Sequence, residues 1–226
     1  MRNMIIKGQI NFLFVLLLVF PIQLFSQKAA HTVQIETSKG NMVCILYEET
    51  PMHADNFIKL VNEGFYDGLL FHRVIRDFMI QTGDPDSRGA QKGVMLGHGS
   101  PNYRVPAEFH PALYHRKGVL AAARMGDQVN PNRESNGSQF YIVQGKKIDD
   151  AGLDGMENSG NHITFTQEQR MYYKNLGGAP HLDYAYTVFG EVIEGLETID
   201  EIASVPTDNM ARPIEDVKII SISVVK

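Results

Sequence analysis

The chain has 226 residues, of which 43% are hydrophobic and 21% are charged. This composition is typical of a globular protein and excludes an intrinsically disordered chain, which has fewer aliphatic residues and a higher net charge. The formal net charge of −5 argues against a general nucleic-acid-binding protein, because such a protein presents a basic surface to phosphates. Cys44 is the sole cysteine, so the fold depends on its hydrophobic core and not on an internal disulfide.

The first 26 residues show the pattern of a secretory signal peptide. Arg2 and Lys7 give a positively charged start, and an almost wholly apolar run follows at residues 10–20. Ser26 is a small residue at the position where a signal peptidase would cut. The apolar run is shorter than the ~20 residues that cross a bilayer, so we predict that residues 1–26 are removed after export.

Cleavage after Ser26 would leave a mature domain of residues 27–226 in the periplasm or outside the cell, without stable membrane insertion. One alternative stays open. Residues 4–25 approach the length of a tilted membrane span, so an uncleaved segment would anchor the protein to the membrane.

Two segments near the start of the mature chain predict a β-hairpin. Residues 31–37 alternate apolar and polar side chains, as a half-buried strand does. Residues 42–47 form a second, more apolar strand, and the polar residues 38–41 between them are typical of a turn.

A helix is predicted next, from Pro51 to about Glu63. Thr50 is expected to cap its N-terminus and Gly64 to end it. The apolar residues recur at the spacing of one helical face, which predicts packing on a core. They are Ala54, Phe57, Ile58 and Val61.

The remainder of the chain consists mainly of short apolar segments separated by turns. Such a succession, with few helices in it, predicts a mainly β barrel or sandwich. The predicted strands are residues 69–75, 78–82, 118–124, 139–143, 186–193 and 217–225, and a short helix is predicted at 197–203.

Residues 145–181 interrupt this succession of short predicted strands. Their first part is polar and glycine-rich, and a short helix is predicted after it, with Thr166 as the N-cap and Gly177 at the end. The segment is too short to bury a core of its own. We therefore interpret it as an inserted loop and helix excursion and not as a separate domain.

Five short blocks of sequence carry residues suited to chemistry, and together they resemble the signature blocks of one family. Any one block would be a weak match, but all five occur in the family's order. The blocks are FHRVI-x2-FMIQTGD at 71–84, VPAEF at 105–109, GVLAAAR at 118–124, NGSQFYI at 136–142 and LD-x3-TVFGEV at 182–192. The chain thus resembles the cyclophilins, the cyclosporin-type peptidyl-prolyl cis-trans isomerases.

The resemblance implies a mainly β fold: a closed eight-stranded antiparallel β-barrel capped by two helices, with the active groove on its outer face. It also implies rotation about X-Pro peptide bonds as the reaction. That rotation has a barrier of about 18–20 kcal/mol because amide resonance must be lost. No covalent bond is broken, so the reaction requires no nucleophile, metal or cofactor, and we expect none.

The resemblance assigns three residues to catalysis. A fixed cationic donor near the prolyl nitrogen would favour the twisted amide, and Arg73 matches the family's arginine. Gln81 matches the amide that helps to orient this arginine and the substrate. His72 matches a residue at the edge of the groove, although neighbouring strand residues face opposite sides of a sheet.

The remaining positions that match the family's groove are expected to bind substrate. Of the adjacent pair Phe78 and Met79, we expect one to face the core more than the pocket, and Phe140 is expected to face the core. The matched substrate-binding residues are Phe78, Met79, Ala123, Arg124, Gln139, Tyr141, His181, Leu182 and Tyr186.

Three of these positions depart from the pattern of the best-known eukaryotic members. His181 replaces a tryptophan that helps to bind cyclosporin, so tight binding of that drug is in doubt. Tyr186 stands where many members have histidine and keeps a stacking and hydrogen-bonding side chain. Tyr141 replaces a phenylalanine and adds a hydroxyl group that needs a partner.

The sequence therefore predicts a monomeric isomerase that acts on proline-containing unfolded or flexible polypeptides outside the cytoplasm. The alternative is a non-catalytic module, or holdase chaperone, that binds proline-containing segments without useful turnover. The presence of both Arg73 and Gln81 favours the enzyme. A metal site is not predicted, because His98, His110 and His115 lack the spacing of metal ligands.

Overall fold

The computed structural model describes residues 29–159 and 164–225. The predicted signal peptide, residues 1–26, and its membrane-anchor alternative lie outside the described residues. Within the described part of the chain, no helix combines the length and the apolar character needed to cross a membrane.

Short strands dominate the described chain, as predicted. The strands are β1 (Ala29–Thr37), β2 (Gly40–Tyr47), β3 (Arg73–Ile75), β4 (Met79–Thr82), β5 (Arg104–Val105), β6 (Val119–Ala122), β7 (Ser135–Asn136), β8 (Phe140–Val143), β9 (Val188–Glu194) and β10 (Ile219–Val225). The helices are α1 (Pro51–Asn62), α2 (Asp150–Glu157), α3 (Gln167–Asn175) and α4 (Leu196–Ala203).

Eight of the strands form one curled antiparallel sheet in the order β10-β1-β2-β9-β6-β8-β4-β3, and β5 pairs with β7 separately. The mainly β, eight-stranded prediction is confirmed, but a closed barrel is not. The end strands β3 and β10 are not paired with each other. The backbone just before β3 approaches β10 instead, with Phe71 N donating to Val217 O at 2.9 Å and Ile219 N to Leu69 O at 2.8 Å.

Alternation along the strands separates two apolar clusters on opposite faces of the sheet. In β8, Phe140 and Ile142 belong to the main core, where α1 contributes Phe57 and α4 contributes Ile199. The intervening residue Tyr141 belongs to the second cluster, on the other face. Because successive side chains of a strand point to opposite sides, one strand serves both the core and the outer face, and the prediction for Phe140 is confirmed.

The N-terminus of α1 is capped differently from the sequence prediction. Thr50 occupies the N-cap position, but its side chain makes no capping hydrogen bond. The carboxylate of Glu108 accepts from the backbone N–H groups of Met52 and His53, each at 3.0 Å, and from His53 Nδ1 at 2.6 Å. A distant acidic side chain thus satisfies the free N–H groups at the positive end of the helix.

The inserted segment 145–181 contains α2 and α3. The prediction for α3 is confirmed, because Thr166 and Gln169 form a reciprocal capping box. Helix α2 was not predicted, since two glycines among its eight residues lower its helix propensity. Arg170 joins the helices by ion pairs to Asp154 at 2.7 Å and Glu157 at 2.6 Å.

The excursion does bury a small apolar cluster, which the sequence analysis did not expect. Leu153, Phe165 and Tyr173 pack together with Tyr114, a residue of the main domain. A segment of this length forms such a cluster because the main domain provides one wall.

Replacing Glu108 should destabilise the fold in a pH-dependent way. Burial acts to raise the pKa of the Glu108 carboxyl, but hydrogen bonds from His53 and two backbone N–H groups outweigh it and lower the pKa below its usual value. The ionised carboxylate therefore stabilises the folded state above the unfolded pKa, and this contribution is lost as the pH falls through the folded pKa. Glu108→Gln should lower the free energy of unfolding by about 2 kcal/mol at neutral pH, as measured by urea denaturation.

Glu134→Gln is the matched control, because the Glu134 carboxylate forms a long, partly exposed ion pair with Arg104 at 3.8 Å. It should change stability by less than about 0.5 kcal/mol. The difference between wild type and Glu108→Gln should shrink below about pH 4. Equal stabilities at neutral pH would contradict this account of the α1 cap.

Candidate functional site

A pocket of about 110 Å³ opens on the outer face of the sheet. It combines apolar walls with cationic and amide groups at its rim, and it contains nine of the twelve residues that the resemblance assigned. Arg73 and Gln81 come from the predicted catalytic set, and the other seven lining residues come from the predicted substrate-binding set. Gln139 lies directly behind Gln81. The lining residues are Arg73, Phe78, Met79, Gln81, Ala123, Arg124, Tyr141, Leu182 and Tyr186.

The register of four adjacent strands brings these side chains together. Gln81 of β4 is paired with Arg73 of β3 on one side and with Tyr141 of β8 on the other. Tyr141 is paired in turn with Ala121 of β6. Directly paired residues share a face of the sheet, so residues that are distant in sequence form one continuous surface.

The polar rim is an ordered chain of side-chain hydrogen bonds. Arg73 Nη1 donates to Gln81 Oε1 at 3.3 Å, and Gln81 Nε2 donates to Gln139 Oε1 at 3.1 Å. The buried Gln139 amide ends the chain on backbone carbonyls, donating to Gly97 O at 3.0 Å and Gly99 O at 2.8 Å. The exposed Arg73 is therefore held from behind by groups that are themselves fixed.

Both Phe78 and Met79 line the pocket, although the sequence analysis expected one of them to face the core. Alternation does not apply to this pair, because Phe78 lies in the turn before β4 and only Met79 is in the strand. Asp77, which precedes Phe78, has a left-handed backbone with φ of 61°. This turn directs the Phe78 ring to the same side as Met79.

Arg124 and Tyr186 form the opposite wall. The Arg124 guanidinium lies 4.6 Å from the centre of the Tyr186 ring, in the range of a cation–π interaction. Arg124 Nε donates to Ala185 O at 2.7 Å, and Nη1 pairs with Asp127 at 2.6 Å. This second cation is thereby neutralised and fixed, whereas Arg73 is not ion-paired within the described residues.

His181 and His72, both assigned by the resemblance, lie outside this pocket. The His181 ring is exposed and packs against Phe78, with ring centres 5.3 Å apart, at the pocket's edge. His72 is buried beside Arg73 in an adjacent recess of about 320 Å³. Burial lowers the pKa of His72 to about 4, with a further lowering by Arg73, and neither ring nitrogen has a hydrogen-bond partner among the described residues.

A buried group of side chains that the sequence does not predict lies behind the pocket. His115 Nε2 lies 3.0 Å from the Tyr141 hydroxyl, and His115 Nδ1 lies 3.0 Å from Asp183 Oδ1. The other carboxylate oxygen of Asp183 accepts from the Tyr173 hydroxyl at 2.6 Å. The one pattern that pointed here was the extra hydroxyl of Tyr141, which needs a partner when buried.

No group of three or more His, Cys, Asp or Glu side chains in residues 29–159 and 164–225 is arranged to hold a metal ion. His98 and His110, considered as ligands in the sequence, are exposed on separate loops. His115 is committed to the buried group described above.

Comparison with known sequences matches the cyclophilin-type peptidyl-prolyl cis-trans isomerase/CLD family over residues 32–224. A Staphylococcus haemolyticus protein provisionally named a peptidyl-prolyl cis-trans isomerase is 36% identical over 193 residues, covering 85% of this chain and 90% of that protein. A longer Streptococcus pyogenes protein, provisionally named a bifunctional phosphatase/peptidyl-prolyl cis-trans isomerase, is 38% identical over 195 residues. That match covers 85% of this chain and only 38% of the longer protein.

Comparison with solved structures finds the same fold in a Cryptosporidium parvum cyclophilin-type peptidyl-prolyl cis-trans isomerase. That crystal structure is 28% identical, has a TM-score of 0.62, and is matched over 87% of this chain and 98% of its own. A second crystal structure of the Cryptosporidium parvum protein, in the presence of the dipeptide Ala-Pro, gives 27% identity and a TM-score of 0.61. The profile match over residues 32–224, the strand order and the pocket agree with one another, and the chain belongs to the cyclophilin-type peptidyl-prolyl cis-trans isomerase family.

Proposed function

We propose that this cyclophilin accelerates rotation of X-Pro bonds in proline-containing, flexible polypeptides outside the cytoplasm, and that Arg73 stabilises the twisted amide. The observation that carries this proposal is the position of Arg73. Its exposed guanidinium stands at the rim of an apolar pocket of about 110 Å³ and is held there by Gln81.

The apolar walls and the cation have different roles in catalysis. Phe78, Met79 and Leu182 offer a water-poor surface for a proline ring, which is held while the preceding carbonyl rotates outside. As the amide twists, its nitrogen regains a lone pair, and a guanidinium donor then binds it more strongly than it binds the planar amide. Such differential binding lowers the barrier without any covalent step.

The amide chain behind Arg73 reduces the cost of reorganisation. Gln81 and Gln139 are already oriented by the carbonyls of Gly97 and Gly99, so the donor is in place before substrate arrives. Preorganised donors of this kind contribute the largest electrostatic effect in many enzymes.

The surroundings of the pocket support an extended polypeptide as the substrate. A second cavity of about 290 Å³ adjoins the proline pocket and shares Gln81, Ala123 and Arg124 with it. A chain that places a proline in one recess can place a neighbouring residue in the other. This arrangement suits flexible segments, since a folded protein rarely exposes several consecutive residues in this way.

Replacing Arg73 tests the proposal. In a protease-coupled assay with an Ala-Pro-containing peptide, Arg73→Ala should lower kcat/KM of residues 27–226 by about 100-fold, the scale of losing one preorganised donor. The matched control is Arg76→Ala, since Arg76 is exposed in the neighbouring turn and its side chain, among the described residues, bonds to Ser204 O alone, at 3.3 Å. A wild type no faster than the uncatalysed peptide would support the alternative of a non-catalytic binding module or holdase.

Activity should not follow the titration of a histidine. Arg73 stays charged at all physiological pH values, and His72 stays neutral because burial lowers its pKa to about 4. We therefore expect kcat/KM to be flat between pH 5.5 and 8, within roughly twofold, because no group of the pocket needs to exchange a proton in this range. An inflection near pH 6.5 that disappears in His72→Gln would contradict this and assign His72 a proton-transfer role.

Export is a separate part of the proposal, supported by the sequence of residues 1–26. Full-length protein expressed in a bacterium should be recovered outside the cytoplasm with Gln27 as its first residue, as determined by intact-mass spectrometry. Leu17→Arg should retain the precursor, because a charge within the apolar run opposes insertion. Full-length protein in the membrane fraction would instead support the uncleaved anchor.

A further inference from the structure

The hydroxyl of Tyr141 ties the proline pocket to the inserted excursion. The Tyr141 ring lines the pocket, and its hydroxyl group points away from it to His115 Nε2 at 3.0 Å. The two rings are stacked, with centres 6.1 Å apart. A phenylalanine at this position would present a similar ring to the substrate but would lack the link to His115.

The link continues through two more buried side chains. His115 and Asp183 have fully buried side chains, 3.0 Å apart, and Asp183 accepts from Tyr173 of α3 at 2.6 Å. Tyr173 is also fully buried. Four buried side chains, from β8, the loop before β6, the segment before β9 and the excursion, therefore form one hydrogen-bonded chain.

The Asp183 carboxylate accepts hydrogen bonds from two of the other groups in this chain. Asp183 Oδ1 faces two donors of His115, the backbone N–H at 2.8 Å and Nδ1 at 3.0 Å, and Oδ2 faces the Tyr173 hydroxyl. With Nδ1 protonated toward the carboxylate, Nε2 is the ring nitrogen that faces the Tyr141 hydroxyl at 3.0 Å. A hydrogen bond between these two groups completes the connection from Tyr173 to the pocket.

Asp183 also controls a second wall of the pocket. It directly follows the 3₁₀ turn Pro180–Leu182, and Asp183 N donates to Pro180 O at 3.1 Å. Leu182 of this turn lines the pocket. A displacement of the Asp183 carboxylate would therefore move two walls, Leu182 through the backbone and Tyr141 through His115.

The excursion is held firmly enough to act as the far support of this chain. Gly178 bridges to both Arg116 and Lys146, and Ala179 N donates to His115 O at 2.8 Å. A Cβ on Gly178 would lie 2.4 Å from His115 O and 2.5 Å from the Tyr173 ring. Only glycine permits this approach of the excursion's end to the residues behind the pocket.

We infer that Tyr173, on the inserted helix α3, is a positioning residue for the proline pocket and acts through Asp183 and His115 on Tyr141. The inference rests on the proposed function only in taking the pocket as the place where a proline residue binds. It assigns the excursion a role in substrate binding, whereas insertions in surface loops often leave a site unaffected.

The test uses Tyr173→Phe in residues 27–226, which removes one hydroxyl and keeps the ring. The Asp183 carboxylate then loses a buried donor, the walls shift, and KM should rise by roughly five- to tenfold, as expected when a buried polar group is left unsatisfied. The value of kcat should stay within about twofold, because Arg73 and Gln81 are untouched. A role confined to stability would lower the melting temperature without changing KM at temperatures where the variant is folded.

Tyr172→Phe is the matched control. Tyr172 is the neighbouring residue of α3, and its ring packs against Tyr114 and Arg116 outside the buried chain. This variant should leave KM unchanged. Tyr141→Phe breaks the chain at the pocket end and should raise KM like Tyr173→Phe, and the double variant should be no worse than the poorer single variant.

Binding of the Ala-Pro dipeptide, followed by the NMR shift of the Met79 methyl group, separates this inference from the isomerase proposal. If the wild type shows no turnover, the dipeptide Kd replaces KM and the same ratios apply. If Tyr173→Phe does not fold, Tyr141→Phe carries the test alone. An unchanged Kd and KM in whichever of these variants folds, or an equal rise in Tyr172→Phe, would overturn the inference.

Discussion

Alternation along β8 is the constraint on which the core and the groove both depend. The strand pairs with β4 on one side and β6 on the other, so its register fixes theirs. Phe140 and Ile142 enter the core beneath the helices, and Tyr141 and Val143 enter the outer cluster. A shift of one residue would exchange the two sets, which would place a tyrosine hydroxyl in the core and remove the pocket's ring.

For catalysis, the groove also needs one cation that is held in position without an ion pair that neutralises its charge. Arg124 pairs with Asp127 and stacks on Tyr186, so its charge is largely satisfied within the protein. Arg73 is held by an amide, whose neutral oxygen orients a guanidinium without cancelling its charge. Using glutamine and not an acid at position 81 leaves Arg73 able to respond to charge that develops on a substrate.

Behind the groove, two buried histidines act through carboxylates in structurally similar ways. His53 links Glu108 at the start of α1 to Ser135 of β7, with contacts of 2.6 Å and 2.9 Å. His115 links Asp183 to Tyr141. In both, an imidazole with two opposed ring nitrogens connects side chains of different elements. The first link holds helix α1 to strand β7, and the second connects the pocket to the excursion.

The sequence by itself determined most of the strands, helix α1, the capping of α3 by Thr166, and the family with its pocket residues. These features depend on neighbours in the chain, through alternation, helical spacing, turn residues and short ordered blocks. Tertiary structure decided the rest: the open edge at β3, the cap of α1 by Glu108 in place of Thr50, and the burial of His72 in a recess beside the pocket. It also decided that Phe78 shares the pocket with Met79. Each of these outcomes depends on a contact with a distant segment or on the path of a turn. A local sequence pattern does not indicate which distant group will form a hydrogen bond with a buried hydroxyl, ring nitrogen or N–H group.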